Sequence, residues 1–271
     1  MSYEYRVHSQ IVKAPVLLWA LLLPWTCLPT SMRAEARTVD LELVLAVDVS
    51  GSMSRTELLL QRHGYIAALR SEDIPSALAI RGAVALAYME WAGANEQRIV
   101  VPWTMVSSAA DADRFADGLA ASPLYPSFKS PPWGSGTSLS RALTFAAALF
   151  SAGTEANRTI DISGNGPNDS GGSLALARER LISKGITING LPIVRPGRGP
   201  DFPLSVYYED CVIGGPGAFA ITVDDPSLFA HTIRRKLVLE IASAGLIIPA
   251  TFVSAGPPRV DCDPLIGPAG K

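Results

Sequence analysis

The sequence predicts a doubly wound α/β fold: a mostly parallel sheet with one antiparallel edge strand and helices on both faces. Three observations carry this reading. Short apolar, β-branched runs alternate with segments of helical spacing, the pattern of strand–crossover–strand units. One pair of strands lies too close in sequence for a crossover and must form an antiparallel hairpin. The first apolar run breaks abruptly into small oxygen-bearing residues, and open α/β sheets hold ligands outside the carboxyl ends of their strands.

Leu41–Val47 (LELVLAV) has the length and composition of a buried strand. Arg55–Arg70 follows as a helix with Leu58, Leu59, Ile66 and Leu69 on its apolar face. His63 on that helix reads as a surface or packing residue. Asp73–Arg81 is a further helical turn with Pro75 near its start. Ala83–Trp91 and Arg98–Val106 are the two strands of the hairpin, and Pro102 suits an edge position. Ala109–Ala121 is a polar-faced helix. Ser122–Gly136 is a long Pro-, Gly- and Ser-rich loop, of a length often tied to function. Leu139–Ala152 is a helix, so Thr137 or Ser138 stands at its start. Arg158–Ser163 is a strand, followed by a turn through Gly164, Asn165 and Gly166. Ser173–Lys184 is a helix that Gly185 stops. Ile186–Leu191 and Phe219–Val223 read as strands, Val194–Pro203 as a loop, and Pro226–Ser243 as a strong helix.

Apolar residues make up 48% of the 271 and charged residues 18%, enough for a substantial core. The formal net charge is -2, so nothing points to nucleic acid or an anionic membrane as partner. Three histidines make a His-built zinc site improbable. Residues 1–36 have the layout of a secretory signal peptide: Arg6 and Lys13, an apolar run Ala14–Leu28, and Ala34-Glu35-Ala36 as cleavage site. The run is shorter than a spanning helix needs, and Pro24 interrupts it. The expected mature chain is therefore secreted or periplasmic and not membrane-spanning, with a domain over 37–244 and a Pro/Gly-rich tail over 245–271. A retained anchor is the competing reading. Cleavage leaves Cys211 and Cys262, an even pair compatible with one disulfide in an oxidising compartment.

The stretch Asp48-Val49-Ser50-Gly51-Ser52 closes the first strand. Asp48, Ser50 and Ser52 alternate, so an extended tip turns their three oxygens to one side. That is a hard-oxygen set, suited to Mg²⁺, Mn²⁺ or Ca²⁺. A helix start explains the same residues differently: Ser52 or Ser54 caps the next helix, and its N-terminus stabilises Asp48. Composition and spacing leave both open.

Two further loops reach the same sheet edge, one presenting Thr137 and the other Asn165 and Asp169. An Asp-x-Ser-x-Ser tip, a Gly136-Thr137 before a central helix and a polar residue followed by Gly after the next strand resemble the von Willebrand factor A domain, a Rossmann-like fold, with its metal-ion-dependent adhesion site. The match runs from Val39 to Ala242. The stretches ISGNGPND, YYEDCVIGGPGAF and RRKLVLEIA are similar to an uncharacterised, exported bacterial branch of that family. The resemblance implies that Ser50, Ser52 and Thr137 ligate a divalent ion and that Asp48 holds it directly or through water. It implies that a partner's Asp or Glu completes the coordination. Asn165 stands where the family usually has Asp, which removes one negative charge from the site; Asp169 or Asp161 would be the compensating carboxylate, although the place of Asp161 within a strand favours a structural role for it. Tyr125, Phe128 and Trp133 in the long loop are the expected contacts for a protein partner.

Enzyme readings lack their motifs. A haloacid-dehalogenase-type phosphatase needs an acid where Ser50 stands. A serine hydrolase elbow, a phosphate loop and a dinucleotide fingerprint are all missing. The expectation is a non-enzymatic, metal-dependent protein-binding module; the alternative is a structural or assembly domain whose metal site has decayed through Asn165.

Overall fold

The computed structural model describes residues 39–124, 136–151, 155–195, 200–242 and 258–263. The expected signal peptide, the aromatic loop residues Tyr125, Phe128 and Trp133, and most of the tail lie outside the described residues.

Five strands form one sheet in the order β3-β2-β1-β4-β5. They are β1 (Leu41–Asp48), β2 (Val84–Trp91), β3 (Gln97–Val106), β4 (Asn157–Gly164) and β5 (Ile186–Pro192). β1 runs parallel to β2 on one side and to β4 on the other, and β4 runs parallel to β5. Only β2 and β3 pair antiparallel, and β3 with its Pro102 forms an edge. Every residue of β1 is buried. This is what a strand covered by helices on both faces requires, and it explains the continuous apolar run.

The helices are α1 (Arg55–Leu69), α2 (Asp73–Arg81), α3 (Ala109–Ala121), α4 (Leu139–Leu149), α5 (Leu174–Ile182), a short α6 (Leu204–Tyr207) and α7 (Phe229–Ala242). Alternation along β1 divides the core between two layers. Leu41, Leu43, Leu45 and Val47 pack with residues of α1, α2, α3 and α7. Val44 and Ala46 face α4, α5 and α6. The crossover after β1 uses the first layer and the one after β4 uses the second. The loops leaving β1 and β4 therefore diverge, and the crevice between them is a topological switch point.

Two parts of the chain depart from the sequence reading. Phe219–Val223 does not form a strand; it touches β5 through single bridges at Ala220 and Val223. Gly190 N–H donates to Phe219 O, Ile221 N–H to Gly190 O, and Val223 N–H to Pro192 O. Between these bonds the ladder calls for a donor at Pro192, whose nitrogen carries no hydrogen, so one rung is missing before Val194 N–H resumes the pairing with Val223 O at 2.8 Å. The second departure is α6, which continues into a π turn over Tyr208–Val212. Its aromatic and apolar residues fill the layer under α4 and α5. No 3.6-residue pattern in LSVYYEDCV announces it. Cys211, in that turn, is bonded to Cys262. The tail is held further where Asp263 accepts from Ser173 Oγ at 2.5 Å and from Leu174 N–H at 2.7 Å, capping α5.

One polar cluster sits inside the first layer. Lys236 of α7 is 1% exposed and donates to Asp161 of β4 at 2.6 Å and to Glu240. Asn189 of β5 donates to Glu240 at 3.1 Å. Asp161 is thus committed to Lys236 and does not serve as a replacement carboxylate at the sheet edge.

Candidate metal centre at the sheet edge

Asp48 ends β1 and is fully buried. Its Oδ1 accepts from Ser50 N–H at 2.7 Å, and its Oδ2 accepts from Asn165 N–H at 3.4 Å. Gln61 of α1 donates to the Asp48 carbonyl at 3.0 Å and accepts from Ser163 Oγ at 2.9 Å, which ties the tip to both strands. No cationic side chain bonds to the Asp48 carboxylate among the described residues. Burial pushes its pKa up to about 6, against the opposing pull of Ser50, the Asn165 N–H and the more distant Arg195.

The remaining oxygens converge beside it. Ser50 Oγ and Ser52 Oγ are 3.0 Å apart. Ser52 Oγ donates to Asn165 Oδ1 at 2.8 Å, bringing the β1 and β4 loops together. Neighbouring ligands of an octahedral Mg²⁺ stand about 2.9 Å apart, since each lies ~2.0–2.1 Å from the ion. The two spacings, here those of hydrogen bonds, are close to that edge, so the three oxygens already stand as near to one another as the ligands of a divalent ion do. Donor chemistry agrees: hydroxyl, amide and carboxylate oxygens form a hard set around a buried anion that has no counter-charge. Among the described residues no group of three or more His, Cys, Asp and Glu side chains gathers as a metal site, so any ion here rests on neutral oxygens and one carboxylate.

The cap and the site use different serines. Ser54 caps α1: its Oγ accepts from Glu57 N–H at 3.2 Å, and Glu57 Oε2 accepts from Ser54 N–H at 2.7 Å. This reciprocal box satisfies the helix end and leaves Ser52 free to face Asn165. Arg195, from the loop after β5, pairs with Glu57 and donates to Ser52 O at 2.5 Å, clamping the tip from outside.

Thr137 arrives from the loop before α4. Its Oγ1 lies 4.0 Å from where a Cβ on Gly166 would stand, and its N–H donates to Asp169 Oδ1 at 2.5 Å. Ser138, the alternative hydroxyl, is spent on Ser170 O at 2.9 Å. Asp169 therefore fixes the Thr137 backbone, and the far wall keeps an amide where a second carboxylate was expected. Gly136 takes φ +120, and a Cβ there would come within 2.7 Å of both Asp169 Oδ1 and Ser170 Oγ.

Sequence reasoning missed several supporting residues. Gln61 lies in an ordinary helical stretch with no motif around it. Asn168 accepts from Ser140 N–H at 3.0 Å and so caps α4 from the neighbouring loop. Gly164 is compulsory: a Cβ there would stand 2.7 Å from Tyr208 Oη, 3.1 Å from Asp48 Oδ2 and 3.3 Å from the Trp91 ring. Its place before Asn165 was visible as a turn, but the crowding behind it was not.

Comparison with solved structures places this architecture. Proximal thread matrix protein 1 from the mussel byssus superposes with a TM-score of 0.53 at 12% identity, over 76% of this chain and 48% of that one. The pilus adhesin SpaC from Lactobacillus rhamnosus GG gives 0.53 at 13%, over 76% and 31%. A von Willebrand factor type A protein from Catenulispora acidiphila gives 0.50 at 18%, over 76% and 43%. The chain spans less than half the length of each of these proteins. No curated protein matches the chain in sequence. The family model described as protein of unknown function, DUF1194, matches residues 38–245. The chain belongs to that family, and its fold is that of a von Willebrand factor A domain.

Proposed function

We propose that the protein is an exported binding module that engages a protein partner through a divalent ion at the β1–β4 crevice. One observation carries the reading: a fully buried Asp48 without a cationic partner, beside Ser50, Ser52 and Asn165 oxygens spaced at 3.0 and 2.8 Å. Ser50, Ser52 and Thr137 would hold the ion, Asp48 would neutralise it, and Asn165 would orient a coordinated water. The ion would supply positive charge and an open position for a carboxylate of the partner. With one carboxylate in the site, affinity for the ion alone is modest, and an incoming Asp or Glu raises it. Tyr125, Phe128 and Trp133 are proposed as the partner's apolar contacts. The N-terminal 36 residues are proposed as a cleaved export signal, in keeping with the Cys211–Cys262 bond.

A pilus adhesin and a thread matrix protein of the mussel byssus share the fold, which supports a binding role without naming a partner. No helix among the described residues is long and apolar enough to cross a membrane. The second reading is an assembly domain of the same fold with a lapsed metal site, favoured by the amide at Asn165. Titration calorimetry and thermal melts with Mg²⁺ and Mn²⁺ separate the two. The binding module gives saturable heat and a rise in Tm at millimolar metal; the assembly domain gives neither.

A further inference from the structure

On the opposite layer, α4 and α5 flank an open groove of about 700 Å³. That lies within the ~300–1,000 Å³ of ordinary ligand sites. Its lining includes Arg141, Arg158, Arg180 and Lys184 and no Asp or Glu. In a protein of net charge -2 this is a local concentration of one sign. Among the described residues the side chains of Arg141, Arg180 and Lys184 make no hydrogen bond or ion pair. Arg158 donates to Ser151 O at 3.1 Å and stands 3.7 Å from Glu42. The groove shares no lining residue with the Asp48 site.

Fold stability does not account for this arrangement. The C-terminal dipole of α5 favours Arg180, in its last turn, and Lys184, just past its end, but does nothing for Arg141. Arg141 stands in the first turn of α4, the end of a helix where a cation is unfavourable. Leu176 lies between the charged ends on the same stripe of α5 and is 54% exposed. From Ser173 to Lys184 the stripe runs about 16 Å at 1.5 Å per residue. An extended peptide of roughly five residues covers that length.

We propose that this groove binds an acidic peptide segment of a protein partner. An apolar side chain of the peptide rests on Leu176, and carboxylates engage Arg141 at one end and Arg158, Arg180 and Lys184 at the other. Charge complementarity selects the acid, since Arg forks match carboxylates. The elongated, half-open shape selects an extended segment over a compact ion. The site acts alongside the metal centre and does not depend on it.

Fluorescence anisotropy on the full chain tests this, with a labelled octapeptide of alternating glutamate and leucine as probe. Saturable binding is expected. It should weaken at least tenfold in the double variant Arg180→Glu/Lys184→Glu and, separately, in Arg141→Glu. Raising the salt should weaken it, and it should persist when the assay is run in EDTA. All three substituted side chains are exposed, and circular dichroism verifies that the variants fold. Equal affinity for a lysine–leucine octapeptide, or undiminished binding in both variants, overturns the proposal. So does displacement of the probe by inorganic pyrophosphate at lower concentration than by unlabelled peptide, which would assign the groove to a small phosphate-bearing anion. Loss of binding on chelation would also overturn it, by placing the peptide at the metal site.

Discussion

Two buried acidic sites lie on neighbouring strands and solve the same electrostatic problem in opposite ways. Asp161, in the middle of β4, faces Lys236 and Glu240 under α7, and the cation comes from the chain itself. Asp48, at the end of β1, receives two backbone N–H groups but no cation among the described residues. A buried ion pair is closed: its charges are matched and its geometry is fixed. A buried carboxylate held only by dipoles remains short of positive charge. The first site holds helix and sheet together. The second stands at a sheet edge, where an ion from solvent can reach it.

Breaking the closed site should have the largest effect. Lys236→Met leaves Asp161 buried without its partner, and the expected loss of stability is about 3–5 kcal/mol, measured by urea denaturation. Breaking the open site should do the reverse. Asp48→Asn removes an uncompensated charge, so the metal-free protein should unfold no more readily than the parent, while the thermal response to Mg²⁺ disappears. If that response persists, the ion binds elsewhere. Asn165→Asp sharpens the contrast by adding charge to the open site. Metal affinity should rise about tenfold, roughly 1.4 kcal/mol, read by calorimetry, and the metal-free Tm should fall.

A smaller effect concerns pH. Burial, together with the neighbouring Asp161, raises the Glu240 pKa from 4.5 to about 8. The folded state then holds a proton that the unfolded state has released across that interval. Stability from this group is therefore full below pH 4.5 and falls as pH rises toward 8. Glu240→Gln should flatten that decline, with urea midpoints at pH 5 and pH 8 drawing closer than in the parent. An unchanged slope would assign the pH dependence to other groups.

The two sites also differ in how far the sequence reveals them. The open site was legible because its residues cluster in short motifs: Asp48 through Ser52 are consecutive, and Thr137 and Asn165 each follow or precede a glycine. The mostly parallel sheet followed from the alternation of apolar runs with helical segments, and the antiparallel edge from a connection too short to cross over, but the order of the strands did not. The closed site was not legible. Lys236 sits in an Arg-Arg-Lys run that looks solvated, and only the packing of α7 on β4 shows that the lysine turns inward. Asp161 was readable as structural from its place within a strand, but not its partner. The turn at Tyr208 and the broken ladder at Pro192 escaped for the same reason. Both depend on what lies across from them, which neither residue's neighbours in sequence record.

The placing of β1 in the middle of the sheet has a consequence for how the molecule forms. Asp48 and Asn165 are 117 residues apart, and they meet only when β4 docks beside β1. During synthesis the β1–β2–β3 portion emerges first and can pair early, with one flank of β1 still bare. Closing that long separation is an entropic cost met late, so the contact between Asp48 and Asn165 is expected among the last to form. An ion at the proposed site would therefore bind a sheet already complete and could not template the early chain.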